Sequence, residues 1–288
     1  MSGFFNEGGI IDWITESPSK GQREFREAVH IALSGISNDA DLQSSMVMKG
    51  GVLLAIKYRT HRHTTDIDFS TNQSLAQNDK DEIQRKLNQS MAIVAENLGY
   101  DLECRVQSCK VQPSKNPNAK FPSIKMKIGY AYKYEPKHKR LLDGKSPTTL
   151  DIDFSMNELM LNTENFAITE GETIRVYSLA DLFAEKYRAV LQQKARNRQR
   201  RQDVYDLFLL IKKLPETTKL ERKKIKTSLM KKAASRGIEA NSESLQDPEI
   251  RQRSRAEYHT LQNEIEGELP EFEDVYDTAK TFYEQLPW

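Results

Sequence analysis

A chain of 288 residues with 38% apolar content can bury one large core or two smaller ones, which places it among globular proteins. Its 43 Lys and Arg nearly cancel its 42 Asp and Glu, leaving a formal net charge of +1. No apolar run approaches the length of a bilayer span, and residues 1–20 lack a basic stretch followed by an apolar one, so a cytoplasmic protein without membrane contact is expected.

The first predicted helix covers Glu24 to Ile36, with Phe25, Val29, Ala32 and Leu33 on one side. Met46 to Met48 leads into a Lys49-Gly50-Gly51 turn, and Val52 to Tyr58 reads as a helix opening directly after it. A loop from Arg59 to Thr64 feeds a strand at Thr65 to Phe69. A long amphipathic helix spans Asp79 to Leu98 and stops at Gly99. Two strand-like runs follow, Asp101 to Val111 and Ser123 to Tyr134. The first carries Cys104 and Cys109, the only cysteines, whose odd separation predicts opposite faces and argues against a disulfide or zinc pair. The second alternates Ile124, Met126, Ile128, Tyr130 and Tyr132 with Lys125, Lys127, Gly129, Ala131 and Lys133, giving an apolar face and a lysine-lined one. The loops Pro113 to Pro122 and Pro136 to Pro147 frame this run, and a further strand covers Thr149 to Phe154.

From Ser178 the pattern turns helical. Ser178 with Asp181 three residues later forms a capping-box-like start. Helices are expected over 179–194, 202–213, about 219–235, 247–266 and 270–285, with a domain boundary near Tyr177. Charge is segregated along the same path. Residues 110–145 hold ten basic against two acidic side chains (+8), residues 186–236 seventeen against four (+13), and residues 237–288 four against thirteen (−9). Solvated helix faces explain such stretches individually. Beside an acidic motif they also suit polyphosphate or nucleic acid.

The chemistry concentrates in a doubled pentapeptide, Asp-Ile-Asp-Phe-Ser, at Asp66 to Ser70 and Asp151 to Ser155. On a strand Asp66 and Asp68 project together about 6.6 Å apart, twice the rise per residue, and a divalent cation relieves their repulsion. One Asp-x-Asp often only caps a turn. Order adds specificity: glycine turn, helix, acidic strand, then a later strand with another acid, the arrangement of metal-dependent nucleotidyl transfer. Gly50 and Gly51 would let backbone N–H groups approach phosphates at a helix N-terminus. Lys186 falls on the apolar stripe of Leu179, Leu182, Phe183 and Val190, so it points inward and needs a phosphate or an acid such as Asp203. Asp203 itself aligns with Leu207, Leu210 and Leu214. Arg62 is a candidate substrate contact, whereas His61 and His63 read as polar surface rather than a zinc site. Tyr100, Tyr130, Tyr132 and Tyr134 read as core rather than base-stacking groups.

The set Lys49-Gly50-Gly51-Val52-Leu53-Leu54, Thr65-Asp66-Ile67-Asp68-Phe69, Leu150-Asp151-Ile152-Asp153-Phe154, Glu185-Lys186-Tyr187-Arg188-Ala189 and Asp203-Val204-Tyr205-Asp206-Leu207 resembles the AbiEii/AbiGii toxin family of nucleotidyltransferases, over roughly residues 40 to 215. The resemblance implies an α/β (α+β) polymerase-β-like nucleotidyltransferase domain with a mixed sheet over 1–177, a helical domain over 178–288, and an active site in a cleft between them. It implies the toxin of a bacterial toxin–antitoxin or abortive-infection system, with a cognate antitoxin. The implied substrates are an NTP and an RNA acceptor, a tRNA 3′ end; the implied cofactor is Mg²⁺, with Mn²⁺ as the alternative ion. By the same resemblance Asp66, Asp68 and Asp151 are metal ligands, with Asp153 the alternative on the second strand. Lys49, Gly50, Gly51, Arg62 and Asp153 are the candidate substrate contacts read from their positions, and by the resemblance Lys186 and Asp203 complete the catalytic set. The chain departs from the family at Val52, where Thr or Ser is common, and at Gln202, where a basic residue is usual. A binding module that has lost the reaction, or an enzyme that modifies protein hydroxyls, are the alternatives.

Overall fold

The structure, a computed structural model, describes residues 9–77, 79–116, 119–213 and 217–288. Part of the 113–122 loop and Leu214 of the Asp203 stripe lie outside the described residues. The chain forms two compact units. Among the described residues, one contains 9–59 and Thr64–Val176; the other contains Thr60–His63 and Tyr177–Trp288.

The first unit is built on a seven-stranded sheet. Its strands are β1 (Val47–Lys49), β2 (Asp66–Ser70), β3 (Leu102–Gln112), β4 (Ser123–Tyr132), β5 (Thr149–Ser155), β6 (Thr163–Thr169) and β7 (Glu172–Tyr177), in spatial order β3-β4-β5-β2-β1-β7-β6. The sheet is mixed: β2 runs parallel to β5 and β1 to β7, while β1–β2, β4–β5 and β3–β4 are antiparallel. Period-two alternation gives it two unlike faces. Ile67, Phe69, Ile124, Met126, Ile128, Ile152 and Phe154 are all buried. The Lys20–Ser37 and Lys80–Leu98 helices pack on one another and on β3. Asp79 caps the second of these by accepting from the backbone of Asp81 and Glu82, and Gly99 ends it in the left-handed conformation.

The lysine-lined face expected along β4 is shorter than its pattern suggests. Lys125 and Lys127 are exposed, but Gly129 and Ala131 are buried, because the Lys137–Leu142 helix and Ser146 cover that end. A Cβ on Gly129 would stand 2.7 Å from Ser146 and 2.9 Å from Leu141 and Gln107. That helix occupies half of the stretch expected to be loop at 136–147. The cysteine expectation also changes. A register shift between Val106 and Ser108 places Cys104 opposite Tyr130 and Cys109 opposite Met126, so both lie on the same face. They remain free, five residues apart along one strand. The β6–β7 hairpin, closed by Glu170-Gly171, is an addition to the expected strands.

In the second unit the helices are Leu179–Leu191, Gln193–Arg196, Arg201–Lys213, Lys219–Ser235, Pro248–Arg255 and Phe272–Glu284. Its core is aromatic: Phe183 stacks on Phe282 at 4.9 Å, and the Tyr187 hydroxyl donates to the Ala279 carbonyl at 2.8 Å. The single helix expected over 247–266 is instead two elements. Ala256 leaves helical geometry, Glu257 is left-handed at φ 57°, and a 3₁₀ run covers Tyr258–Glu264. The acidic segment is largely paired. Asp247 and Glu249 meet Lys194, Glu264 meets Arg201, and Glu273 meets Arg251 and Arg255. It therefore neutralises part of the preceding basic stretch as well as its own arginines.

Candidate active site

Each Asp-Ile-Asp-Phe-Ser copy forms an alternating strand, and parallel pairing sets the two in register. Asp66 stands opposite Asp151 and Asp68 opposite Asp153, with Ile67, Ile152, Phe69 and Phe154 buried on the reverse face. Four carboxylates thus share one face, about 4.8 Å apart across the strands and about 6.6 Å apart along them. Asp151 and Asp153 face the same way as the first pair. The register continues on both sides: Lys49 is opposite Asp68 on β1, Lys125 is opposite Asp153 on β4, and Lys110 is opposite Lys125 on β3. A second row runs from Asp66 through Asp151 to Lys127.

The glycine turn is fitted to this face. Gly50 opens the Gly50–Tyr58 helix at φ +77°, and a Cβ there would lie 2.1 Å from Oδ2 of Asp68. Both the backbone conformation and the close approach require glycine. The helix N-terminus therefore abuts the carboxylate face, where its first N–H groups suit an anion. Val52 is fully buried and serves the core.

Present contacts engage the carboxylates of Asp66, Asp151 and Asp153. Thr64 Oγ1 donates to Asp66 at 2.7 Å, Lys127 Nζ lies 2.9 Å from Oδ1 of Asp151, and Lys125 Nζ lies 3.2 Å from Oδ2 of Asp153. Oδ1 of Asp153 is buried with no hydrogen-bond partner. Among the described residues no three His, Cys, Asp or Glu side chains converge as a ready metal cluster. The donor set nonetheless fits a hard divalent cation: adjacent carboxylates, all oxygen, one with an unsatisfied buried atom, and lysine contacts that rotation can release.

Lys186, Asp203 and Arg62 come together within the helical unit, around a residue absent from the expected site. Lys186 Nζ lies 2.6 Å from Oδ2 of Asp206 and 3.3 Å from Oδ1 of Asp203. Arg62 grips Asp206 from another direction, with Nε at 2.9 Å and a second nitrogen at 3.3 Å, and lies 3.7 Å from Glu264. The Arg62 side chain is 10% exposed and that of Asp206 1%. Burial opposes the charge on all three, yet their mutual attraction outweighs it. Asp206 is held below the usual carboxylate range by Arg62 and Lys186, while Lys186 is held above its ordinary value by Asp206 and Asp203, and Arg62 by Asp206 and Glu264. Asp206, Lys186 and Arg62 therefore stay charged at neutral pH. Asp206 had a signal: it lies three residues from Asp203 and four from Leu210, on the same buried helix face. His61 and His63 both lie near Glu266, at 3.6 and 3.9 Å, in a segment whose backbone pairs with residues 264–266.

Two Helicobacter pylori structures share the fold across nearly the whole chain. One, described as a candidate nucleotidyltransferase, aligns with a TM-score of 0.52 and 11% identity, covering 93% of this chain and 95% of that one. The other, JHP933, aligns with a TM-score of 0.51 and 11% identity, covering 93% and 92%. MenT4, a nucleotidyltransferase toxin from Mycobacterium tuberculosis, overlays at a TM-score of 0.42 and 13% identity, covering 94% and 92%. No curated protein matches the chain in sequence. The family described as nucleotidyl transferase AbiEii toxin, type IV toxin–antitoxin system, matches residues 31–278, and the chain belongs to that family of nucleotidyltransferase toxins.

Proposed function

We propose that the chain transfers a nucleoside monophosphate from an NTP to an RNA acceptor, a tRNA 3′ end, at the carboxylate face of β2 and β5. The observation that carries this is the in-register set of Asp66, Asp68, Asp151 and Asp153 with Gly50 packed against Asp68. Asp66 and Asp68 with a carboxylate of β5 would hold Mg²⁺, or Mn²⁺ in its place. When bound, such ions neutralise the triphosphate and lower the barrier to in-line displacement. Gly50 and Gly51 offer backbone N–H groups to the phosphates, and Lys49, opposite Asp68, adds charge on that side. The acceptor hydroxyl oxygen bonds to the α-phosphorus, the bond to the bridging oxygen breaks, pyrophosphate leaves, and the hydroxyl proton passes to solvent.

Lys186, Asp203 and Arg62 take a different role in this proposal. The Lys186 and Arg62 cations are matched by Asp206, Asp203 and Glu264, so the group acts by fixing the helical unit rather than by meeting phosphate. A cognate antitoxin is part of the proposed cellular setting, consistent with the type IV family.

The test is incubation of the full chain with tRNA, Mg²⁺ and each of the four α-labelled NTPs. Label on RNA with at least one NTP is expected. No transfer to tRNA or total RNA with any of the four would contradict the proposal, and label appearing on protein instead would move the acceptor class.

A further inference from the structure

The cross-strand row through the acids has unlike ends. It reads Lys49, Asp68, Asp153, Lys125, Lys110 across β1, β2, β5, β4 and β3, a span of about 19 Å at ~4.8 Å per strand. The glycine turn lies at the Lys49 end, and the opposite end is a lysine flank. Lys110 and Lys125 are directly opposed, like charges that antiparallel pairing disfavours, and Asp153, 3.2 Å from Lys125 Nζ, is the counter-charge now beside them. Lys127 extends the flank one row over, beside Asp151.

We infer that Lys110, Lys125 and Lys127 hold backbone phosphates of the acceptor RNA; this rests on the nucleotidyl-transfer reading above. In-line displacement puts the attacking hydroxyl and the leaving pyrophosphate on opposite sides of the α-phosphorus. With the triphosphate at the glycine turn beside Asp68, the acceptor enters from the β4 side. Lys125 lies two strand spacings from Asp68 in that direction, about 10 Å, within reach of a phosphate one or two nucleotides from the reacting end. The lysines are available for the exchange. The side chains of Lys125 and Lys127 are 59% and 48% exposed, and exposed ion pairs hold weakly, about 0–1 kcal/mol. Were Asp151 and Asp153 to hold a divalent cation, the negative charge that now engages Lys125 and Lys127 would be offset. An array of ammonium groups at strand spacing recognises repeated phosphates without reading sequence, which suits a nucleic-acid backbone.

The experiment is fluorescence anisotropy of labelled tRNA with the full chain in Mg²⁺, across a salt series. It compares the wild type with a combined Lys110→Met, Lys125→Met, Lys127→Met variant, alongside calorimetric NTP binding. The expected result is a loss of tRNA affinity of at least about tenfold, with the salt slope shallower by about two to three, while NTP affinity holds. Lys→Arg at the three positions should retain tRNA binding. Adding Asp151→Asn and Asp153→Asn to the methionine variant separates lost contact from uncovered negative charge: tRNA binding that stays weak supports contact, and binding that recovers overturns it. Unchanged tRNA affinity and slope in the methionine variant, or equal loss of NTP binding, would also overturn the inference. A wild type that binds no RNA would instead defeat the RNA-acceptor reading, and this inference with it.

Discussion

Asp68 lies directly opposite Asp153 across a parallel strand pair, with both side chains on the charged face of the sheet and Gly50 packed against the first. Two identical pentapeptides 85 residues apart thus become one chemical surface, because parallel pairing in register superposes their alternation.

Gly50→Ala should be far worse than an ordinary glycine replacement. It combines a left-handed backbone with a Cβ 2.1 Å from Asp68 Oδ2, so the helix N-terminus or the carboxylate must move. Gly99→Ala, also left-handed but with open space around the Cβ, is the control. Thermal melts should show a cost of about 1 kcal/mol for Gly99→Ala and more for Gly50→Ala, and only Gly50→Ala should reduce transfer, by at least about 10²-fold. Equal effects at the two sites would refute the fitted turn.

Asp206→Asn should be among the most destabilising single changes in the helical unit, at about 3–5 kcal/mol by urea unfolding. It leaves the buried charges of Arg62 and Lys186 with only Asp203 and Glu264 nearby. The folded-state pKa of Asp206 is depressed, so its contribution is present above the unfolded value of about 3.8 and fades as pH falls below it. The difference between variant and wild type should accordingly shrink in acid. A cost under about 1 kcal/mol at pH 7 would show that the cluster is not structural.

His30 is fully buried on the Lys20–Ser37 helix, its Nδ1 2.8 Å from the Tyr100 hydroxyl, and burial lowers its pKa from 6.5 to about 4. Over that window the unfolded chain binds a proton that the folded chain does not, so stability is complete above about 6.5 and is lost toward pH 4. The loss is on the order of 3 kcal/mol. Urea unfolding at pH 5 and pH 7 should show a drop for wild type that His30→Gln lacks. The same drop in both would assign it to other groups.

The elements with long, clean periodicity were legible in the sequence: the Lys80–Leu98 helix with its Asp79 cap and Gly99 stop, and the alternating strands β2, β4 and β5. Non-local information was not. The inserted residue near Gln107 shifts strand parity, so the prediction of opposite faces for Cys104 and Cys109 fails at a bulge that only pairing with β4 reveals. Lys125 and Lys127 read as a lysine-lined strand face, and only the placement of β5 beside β4 shows that they meet Asp153 and Asp151. Chain order puts Arg62 next to Asp66, and no local pattern announces that folding brings its guanidinium to Asp206, 144 residues on. The β6–β7 hairpin was within reach: two short alternating runs around Glu170-Gly171 are a recognisable hairpin signal.

The central claim is that the β2 and β5 carboxylates perform nucleotidyl transfer, and the most direct measurement is the single-turnover rate of α-labelled NTP transfer by wild type and Asp68→Asn in Mg²⁺. The side chains differ little in size, so a fall of at least about 10³-fold with an unchanged melting temperature is predicted. A folded Asp68→Asn variant that transfers at the wild-type rate would contradict it.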